Sequence, residues 1–276
     1  MKNIDLENSI FWNDICGSYL AKDLGIADDS PASLKKYDDF YLDYYPYLLK
    51  HVPVDTFQGK KVMEVGLGYG TLSQQIAENC AEYRGLDIAA GPVNLVNKRV
   101  SQLNVEGGAQ VGSIKDCPFP DSYFDAVVAI GCYHHTGDLR KAISETSRVL
   151  KPGGVCYLMV YNKYSYRQWL HSPILTLKRF LREEWSMRSI NTETTEREKK
   201  AFDMNLSGDG APETQFFSVK ELHDIMSVNF DQISLTKENN DQLNFMGRRL
   251  FKRKPLLKSL GNNMGLDIYF QGRKKV

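Results

Sequence analysis

Residues 61–71, KVMEVGLGYGT, decide how this chain folds. KVMEV is a short β-rich run that ends on glycines at 66, 68 and 70. Glycine tolerates positive φ and lets a ligand approach the backbone, so the run is predicted to be a strand handing over to a helix through a ligand-binding turn. The spacing is GxGxG, not the GxGxxG of dinucleotide binders, and no Lys-Ser/Thr pair follows as in a phosphate loop. Glu64 precedes the first glycine by two residues and faces the same crevice. A carboxylate there repels pyrophosphate and attracts, directly or through water, a ligand that carries positive charge, which disfavours an NAD-linked oxidoreductase.

Outward from this stretch the chain alternates β-rich runs with amphipathic ones. EYRGLDI (82–88) is the second strand, and Asp87 at its end lies about 20 residues past the first glycine, where an acid can accept two ribose hydroxyls. The alternative for Asp87 is a helix cap for the stretch starting near Gly91. Ile88 can pack on one face of a base. AQVGS (109–113) is the third strand. YFDAVVAI (123–130) and GVCYLMVY (154–161) are almost wholly apolar, as central strands buried on both faces are. Helices are expected at 71–79, 91–103 and 138–149, the last stopped by KPGG.

Residues 162–214 break the pattern. With the polar run INTETTEREKK (190–200) they are too long for a simple connection and read as an inserted helical cap with a mobile segment. SVKELHDIMSVNF then restores helical periodicity, with Ser218 as N-cap and Glu221 completing a capping box. DQISLT and MGLDIYFQG supply two more strands, the last expected to pair antiparallel at the sheet edge. IYFQG resembles a protease-site tag, but Leu266 stands where a tag needs an acid, and the alternation of MGLDIYF suits a native strand. Ahead of the core, residues 33–51 form a Tyr-rich amphipathic helix bent or ended near Pro46.

The segment GSIKDCPFPDSYFDAVVAIGCYHHTGDLRKAISETSRVLKPGG (112–154) completes an ordered set. With it, the chain from about 60 to 161 resembles the class I S-adenosylmethionine-dependent methyltransferases, in the small-molecule subgroup with the methyltransferase-11 domain pattern. The resemblance implies an α/β, Rossmann-like, doubly wound sheet of seven strands in the order 3-2-1-4-5-7-6, with strand seven antiparallel. It implies S-adenosylmethionine as cofactor, held by Glu64, Gly66, Gly68, Asp87 and Ile88 together with Ser113, Ile114 and Ile130. It divides the chain into a helical lid at 1–55 and a methyltransferase domain at 56–276 with a cap inserted at about 162–214. Ser113 departs from the family, which often has an acid there for the adenine amino group; Asp116, three residues on, is the expected substitute.

IGCYHH (130–135) stands where many enzymes that methylate planar nitrogens carry an Asn/Asp-Pro-Pro-aromatic element, and that element is absent. His134 and His135 sit instead at the carboxyl end of a central strand, the edge where open α/β sheets bind ligands. An imidazole there can take a proton from a hydroxyl acceptor; the alternative is that one histidine packs beneath the loop and the other orients it. Tyr133, Tyr161 and Asn162 face the same edge and are candidates for holding a polar acceptor. Tyr41, with Tyr37, Tyr44 and Tyr45, can close over the cofactor's methionine end, although such stripes are more often packing. FWNDICG (11–17) belongs to the same lid.

Composition sets the bounds. The chain has 276 residues, 42% apolar and 25% charged, with a net charge of +1, so no global field draws it to nucleic acid or to an acidic membrane. MKNIDLENSIFW lacks a secretory pattern, and no run reaches the roughly 18 apolar residues of a bilayer span. A cytoplasmic location is expected, with the five scattered cysteines reduced and no metal site. From Asp241 onward nine basic residues face two acids. This is either a solvated face or, if it borders the cleft, a preference for an anionic acceptor. The expected function is methyl transfer to a small molecule, at a hydroxyl oxygen, in specialised metabolite or glycan biosynthesis. The rivals are a non-catalytic cofactor-binding protein and an RNA-modifying enzyme that uses the basic stretch.

Overall fold

The computed structural model describes residues 4–15, 18–185, 194–205, 207–241, 243–245 and 248–276. Four helices lead the chain: α1 (Ile4–Ile15), α2 (Ser18–Asp23), α3 (Pro31–Tyr44) and α4 (Leu48–His51), with the break between the last two at Pro46. A βα alternation follows through β1 (Lys61–Val65), α5 (Thr71–Ala77), β2 (Glu82–Asp87), α6 (Ala90–Val100), β3 (Glu106–Val111), β4 (Phe124–Ile130), α7 (Leu139–Val149) and β5 (Leu150–Tyr161). The cap contributes α8 (Tyr166–His171), α9 (Pro173–Trp185) and α10 (Glu196–Phe202). Then come α11 (Val219–Met226), β6 (Phe230–Glu238), a small hairpin of β7 (Leu243–Phe245) and β8 (Arg248–Phe251), and β9 (Asp267–Lys274).

Seven strands form one sheet in the order β3-β2-β1-β4-β5-β9-β6, in which β9 runs antiparallel to both neighbours. With the hairpin set aside this is the expected 3-2-1-4-5-7-6 arrangement. Alternate residues of β4 show why both faces must be covered. Val127 and Ala129 pack with Leu139, Ile143, Leu222 and Met226 of α7 and α11, while Ala126 and Val128 pack with Leu48, Ile76 and Val96 of α4, α5 and α6.

The final strand is not at the edge. β9 lies between β5, in register from Val155↔Arg273 to Tyr161↔Asp267, and β6. Ile268, Tyr269 and Phe270 are all buried, which an interior strand requires and an edge strand does not, whereas β6 exposes Asp231 and Gln232.

Ser218 caps α11 in the expected reciprocal arrangement with Glu221. Thr195 and Glu198 build a second capping box, so the charged run from Glu196 is helix α10 and not a mobile linker; residues 190–193 of the polar run lie outside the described residues. Glu198 also takes the Arg179 guanidinium of α9 at 2.6 Å in a buried pair. The basic end of the chain does not line the cleft as a unit. Arg273, Lys274 and Lys275 sit at the amino-end edge of the parallel strands and donate to the carbonyls of Gly153, Leu150 and Ser227. The side chains of Arg248 and Arg249 lie outside the described residues.

Candidate active site

The carboxyl ends of β1, β2 and β4 open into a cleft whose shape begins with backbone conformation. Gly66 has φ +77°, and a Cβ there would stand 2.5 Å from the Cβ of Cys132, so the first glycine is required twice over. Gly68 has φ +55° with open space where a side chain would project. The turn is held by Asp87. Its Oδ2 accepts from Leu67 N at 2.7 Å and its Oδ1 from Ala89 N at 2.9 Å. The ligand and capping readings of Asp87 are therefore compatible, because one carboxylate fixes the glycine turn and the entry to α6 while each oxygen keeps a further lone pair.

Two cavities meet at Gly66, Gly68, Ile130 and Trp12. The first is walled by Asp87, Ile88, Ser113, Ile114, Thr136 and His135. The second runs over Glu64, Thr71 and Leu72 toward the tyrosines of α3 and the end of α10 at Phe202 and Asp203. Among the described residues that line these two cavities there is no lysine or arginine. A pyrophosphate has nothing to neutralise it here, whereas a nucleoside joined to a cationic amino acid meets Asp87 at one end and Glu64 at the other.

Glu64 is 2% exposed and accepts a 2.6 Å hydrogen bond from the Tyr83 hydroxyl. Burial pushes its carboxyl up to about 7, with the Tyr83 contact opposing. A bound ammonium favours the charged form and reverses part of that shift, so S-adenosylhomocysteine binding at pH 6.5 should release protons and affinity should rise as pH passes upward through 7. Calorimetry in buffers of different ionisation enthalpy measures this; release that persists undiminished in Glu64→Gln assigns it to another group.

Helices from before the sheet and from the segment after β5 border the two cavities. From α1, Asn8 donates to the His135 carbonyl at 2.6 Å, Trp12 packs on the His135 ring with centroids 4.7 Å apart, and Asp5 pairs with Lys115 at 2.6 Å. Asp5, Asn8 and Trp12 all line the first cavity. Asp116 is exposed and does not line it, so the acids on that wall are Asp5 and Asp87; Ser113 itself accepts from Lys115 N and caps a short turn. On the other side, Asp38 of α3 accepts from Thr71 and from the buried Arg99 guanidinium, which moors the tyrosine helix to the glycine turn. Tyr37 stacks on Tyr69 within that turn at 4.1 Å.

His135 has a partner that the sequence did not reveal. Its Nδ1 lies 2.7 Å from the Glu213 carbonyl, which can only accept, so Nδ1 carries the hydrogen and Nε2 keeps its lone pair. Nε2 faces Asp203 Oδ2 at 3.6 Å, and neither atom has a hydrogen-bond partner among the described residues. Asp203 Oδ1 accepts from the Tyr161 hydroxyl at 3.1 Å. Burial lowers the His135 pKa, opposed by the Asp203 charge, and burial raises that of Asp203. Nothing periodic marks Asp203 in the sequence, because it stands where α10 ends.

Other expected site residues are turned away. His134 is fully buried against Tyr161, with ring centroids 3.9 Å apart, and burial lowers its pKa well below 6.5, so it packs beneath the loop. The Tyr133 hydroxyl points into the core to Thr146 at 2.5 Å. Asn162 is spent on the backbone, donating to Gly265 O and accepting from Tyr164 N. The polar atoms of these three are satisfied internally or sealed from solvent in this arrangement, although Tyr133 does line the first cavity. Tyr41 does line the second cavity.

Comparison with known proteins agrees with this geometry. The family model described as a methyltransferase domain matches residues 63–158. Residues 63–158 thus carry a methyltransferase domain, within the fold of class I S-adenosylmethionine-dependent methyltransferases. The chain is 30% identical over 189 residues to the fatty-acid O-methyltransferase of Mycolicibacterium smegmatis, a match covering 65% of each chain. It is 31% identical over 97 residues to the demethylmenaquinone methyltransferase of Tropheryma whipplei, covering 35% of this chain and 39% of that one. The chain thus spans less than two thirds of these curated relatives. Among solved structures, the complex between the Haloferax volcanii Trm112 methyltransferase activator and a methyltransferase contains a chain matched at TM-score 0.57 and 16% identity, covering 95% of this chain and 99% of that one. That likeness concerns the fold. No helix of the described residues is long and apolar enough to cross a membrane.

Proposed function

We propose that the methyltransferase transfers the methyl group of S-adenosylmethionine to a small-molecule acceptor at a hydroxyl oxygen. The observation that carries this reading is the pair of buried acids, Glu64 and Asp87, flanking a glycine turn in a cleft whose described walls hold no lysine or arginine. Bound S-adenosylmethionine supplies an electrophilic methyl on a cationic sulfur. Asp87 and Ile88 would hold the ribose and the base, with Ser113, Ile114 and Asp5 around the adenine, and Glu64 would face the methionine ammonium. His135, kept neutral by burial, would take the hydroxyl proton at Nε2, which has no hydrogen bond among the described residues, when the acceptor oxygen displaces the sulfur from the methyl carbon. Asp203 then stabilises the imidazolium electrostatically, as a carboxylate beside a catalytic histidine does. Trp12 and the α3 tyrosines exclude water from the reacting centre. A role in specialised metabolite or glycan biosynthesis and a cytoplasmic location fit a small-molecule acceptor.

Calorimetric titration with S-adenosylhomocysteine, followed by a mass-spectrometric screen of hydroxyl-bearing metabolites with S-adenosylmethionine, tests the proposal. Absence of cofactor binding removes it, and binding with no turnover on any acceptor leaves the non-catalytic reading in its place.

The lid makes its own prediction. Phe11 and Ala211 form a small cluster with Trp12, separate from the two large cores on the sheet faces. Deleting residues 1–30 should therefore leave a cooperatively folded domain while weakening S-adenosylhomocysteine binding and turnover together. Hydrogen exchange should show α1 and α10 gaining protection when product and acceptor are both bound. Normal turnover by the truncated protein would make the segment peripheral.

A further inference from the structure

The acceptor half of the cleft has a chemical character of its own. Beyond the glycine turn and Glu64, the second cavity is walled by Tyr41, Tyr44, Tyr45 and Phe202, and Asp23 and Asp203 add two further acids. Aromatic faces carry negative potential and attract cations, and carboxylates do so directly. The protein already uses two of these rings that way. The Arg253 guanidinium lies 3.7 Å from the Tyr44 ring centroid, and that of Arg167 lies 4.4 Å from the Phe202 centroid.

Both guanidiniums stand behind the wall and are committed. Arg167 pairs with Asp241 at 2.5 Å, and Arg253 donates to the Tyr44 carbonyl and to the Asn239 amide oxygen. Neither lines the cavity, so a carboxylate or phosphate entering it would lose its hydration with no cation to replace it. Lys254, the nearest basic residue of α3's outer flank, is exposed and bound to Asp43. Asp203, in contrast, lines the cavity with a carboxylate whose Oδ2 has no hydrogen bond among the described residues and only the neutral His135 ring beside it at 3.6 Å, a charge that a bound cation would compensate.

We infer that the acceptor carries an ammonium group on an apolar or aromatic body, anchored by the α3 tyrosines, Phe202 and Asp203, and that anionic acceptors are excluded. The inference rests on the proposed methyltransferase function and narrows its substrate class from a small molecule to an amine-bearing one. It departs from the anionic acceptor that the C-terminal charge suggested, and it sets this cleft apart from what a fatty acid would need.

The test uses the full chain saturated with S-adenosylhomocysteine and three shape-matched probes, 2-phenylethylammonium, 2-phenylethanol and 3-phenylpropanoate, titrated by calorimetry. The ammonium probe should bind most tightly, at least about tenfold better than the carboxylate, as one cation–π contact with a partly buried carboxylate implies. Asp203→Asn should shrink that ratio to near one, and Asp23→Asn, on an exposed helix end that tolerates change, should reduce it partially. Equal or tighter binding of 3-phenylpropanoate, or no binding of 2-phenylethylammonium, overturns the acceptor class. Because cofactor product is titrated first, its failure to bind would instead overturn the methyltransferase reading.

Discussion

His135→Ala should lower turnover by about 10²–10⁴-fold, the range for loss of a positioned general base, while changing S-adenosylhomocysteine affinity little. The separation follows from where the atoms lie. The ring packs on Trp12, its Nδ1 is held by the Glu213 carbonyl and its Nε2 points at Asp203, so none of its polar atoms is bonded to Asp87 or the glycine turn. Asp203→Asn should lower turnover less, because the base remains and only the charge that supports the imidazolium is lost. The pH profile should separate the two roles. Burial depresses the His135 pKa, so the base is neutral at pH 7 and activity should fall only as pH drops through that lowered value. Removing the Asp203 charge depresses it further, and the acidic limb should move to lower pH in Asp203→Asn. Wild-type turnover in His135→Ala would reduce the residue to a loop anchor, which its bond to Glu213 already makes it in part.

The second large effect is expected at Asp87. Replacing it with alanine should weaken S-adenosylhomocysteine binding by about 1.5–3 kcal/mol, the range for hydrogen bonds to a charged group, or roughly 10- to 100-fold in Kd. The same substitution leaves Leu67 N and Ala89 N without their acceptor in a buried turn, so a loss of stability should accompany it. Asp87→Asn separates the two losses. Its amide oxygen can still accept one backbone N–H, so stability should recover partially while affinity does not, because the second position becomes a donor facing ribose hydroxyls. Unchanged Kd in a folded Asp87→Ala protein would remove the ribose assignment.

The elements that positioned the cofactor half were legible because their chemistry is local. Gly66 needs positive φ, Asp87 ends its own strand, and Ser218 announces a helix three residues before Glu221 answers it. The acceptor half was not legible, because its groups converge from distant parts of the chain. Asp203 lies 68 positions from His135 in the sequence, and on the adenine side Asp5 lies 110 positions from Lys115. Neither pair has a spacing that periodicity can detect. Tyr133 and His134 were not separable in the sequence for a related reason: the strand end was placed correctly, but a short turn at Tyr133–His135 sends the Tyr133 hydroxyl and the His134 ring into the core, while Tyr133 and His135 both line the first cavity. The antiparallel final strand followed from the family resemblance, while its interior position had to be seen, since an apolar alternation suits an edge as well as a centre.

That interior position ties completion of the catalytic edge to a strand that is made after both of its neighbours. Until residues 267–274 slot between β5 and β6, both of those strands present open backbone, and Tyr161, which holds Asp203, sits on an unpaired edge. Synthesis therefore passes through a state in which the cofactor half, carried by β1 to β4, can already be assembled while the acceptor half cannot. Such a protein can gain affinity for its cofactor before it gains chemistry, and a chain shortened by ten residues would be expected to stick to its own kind through two bare strands instead of merely losing activity.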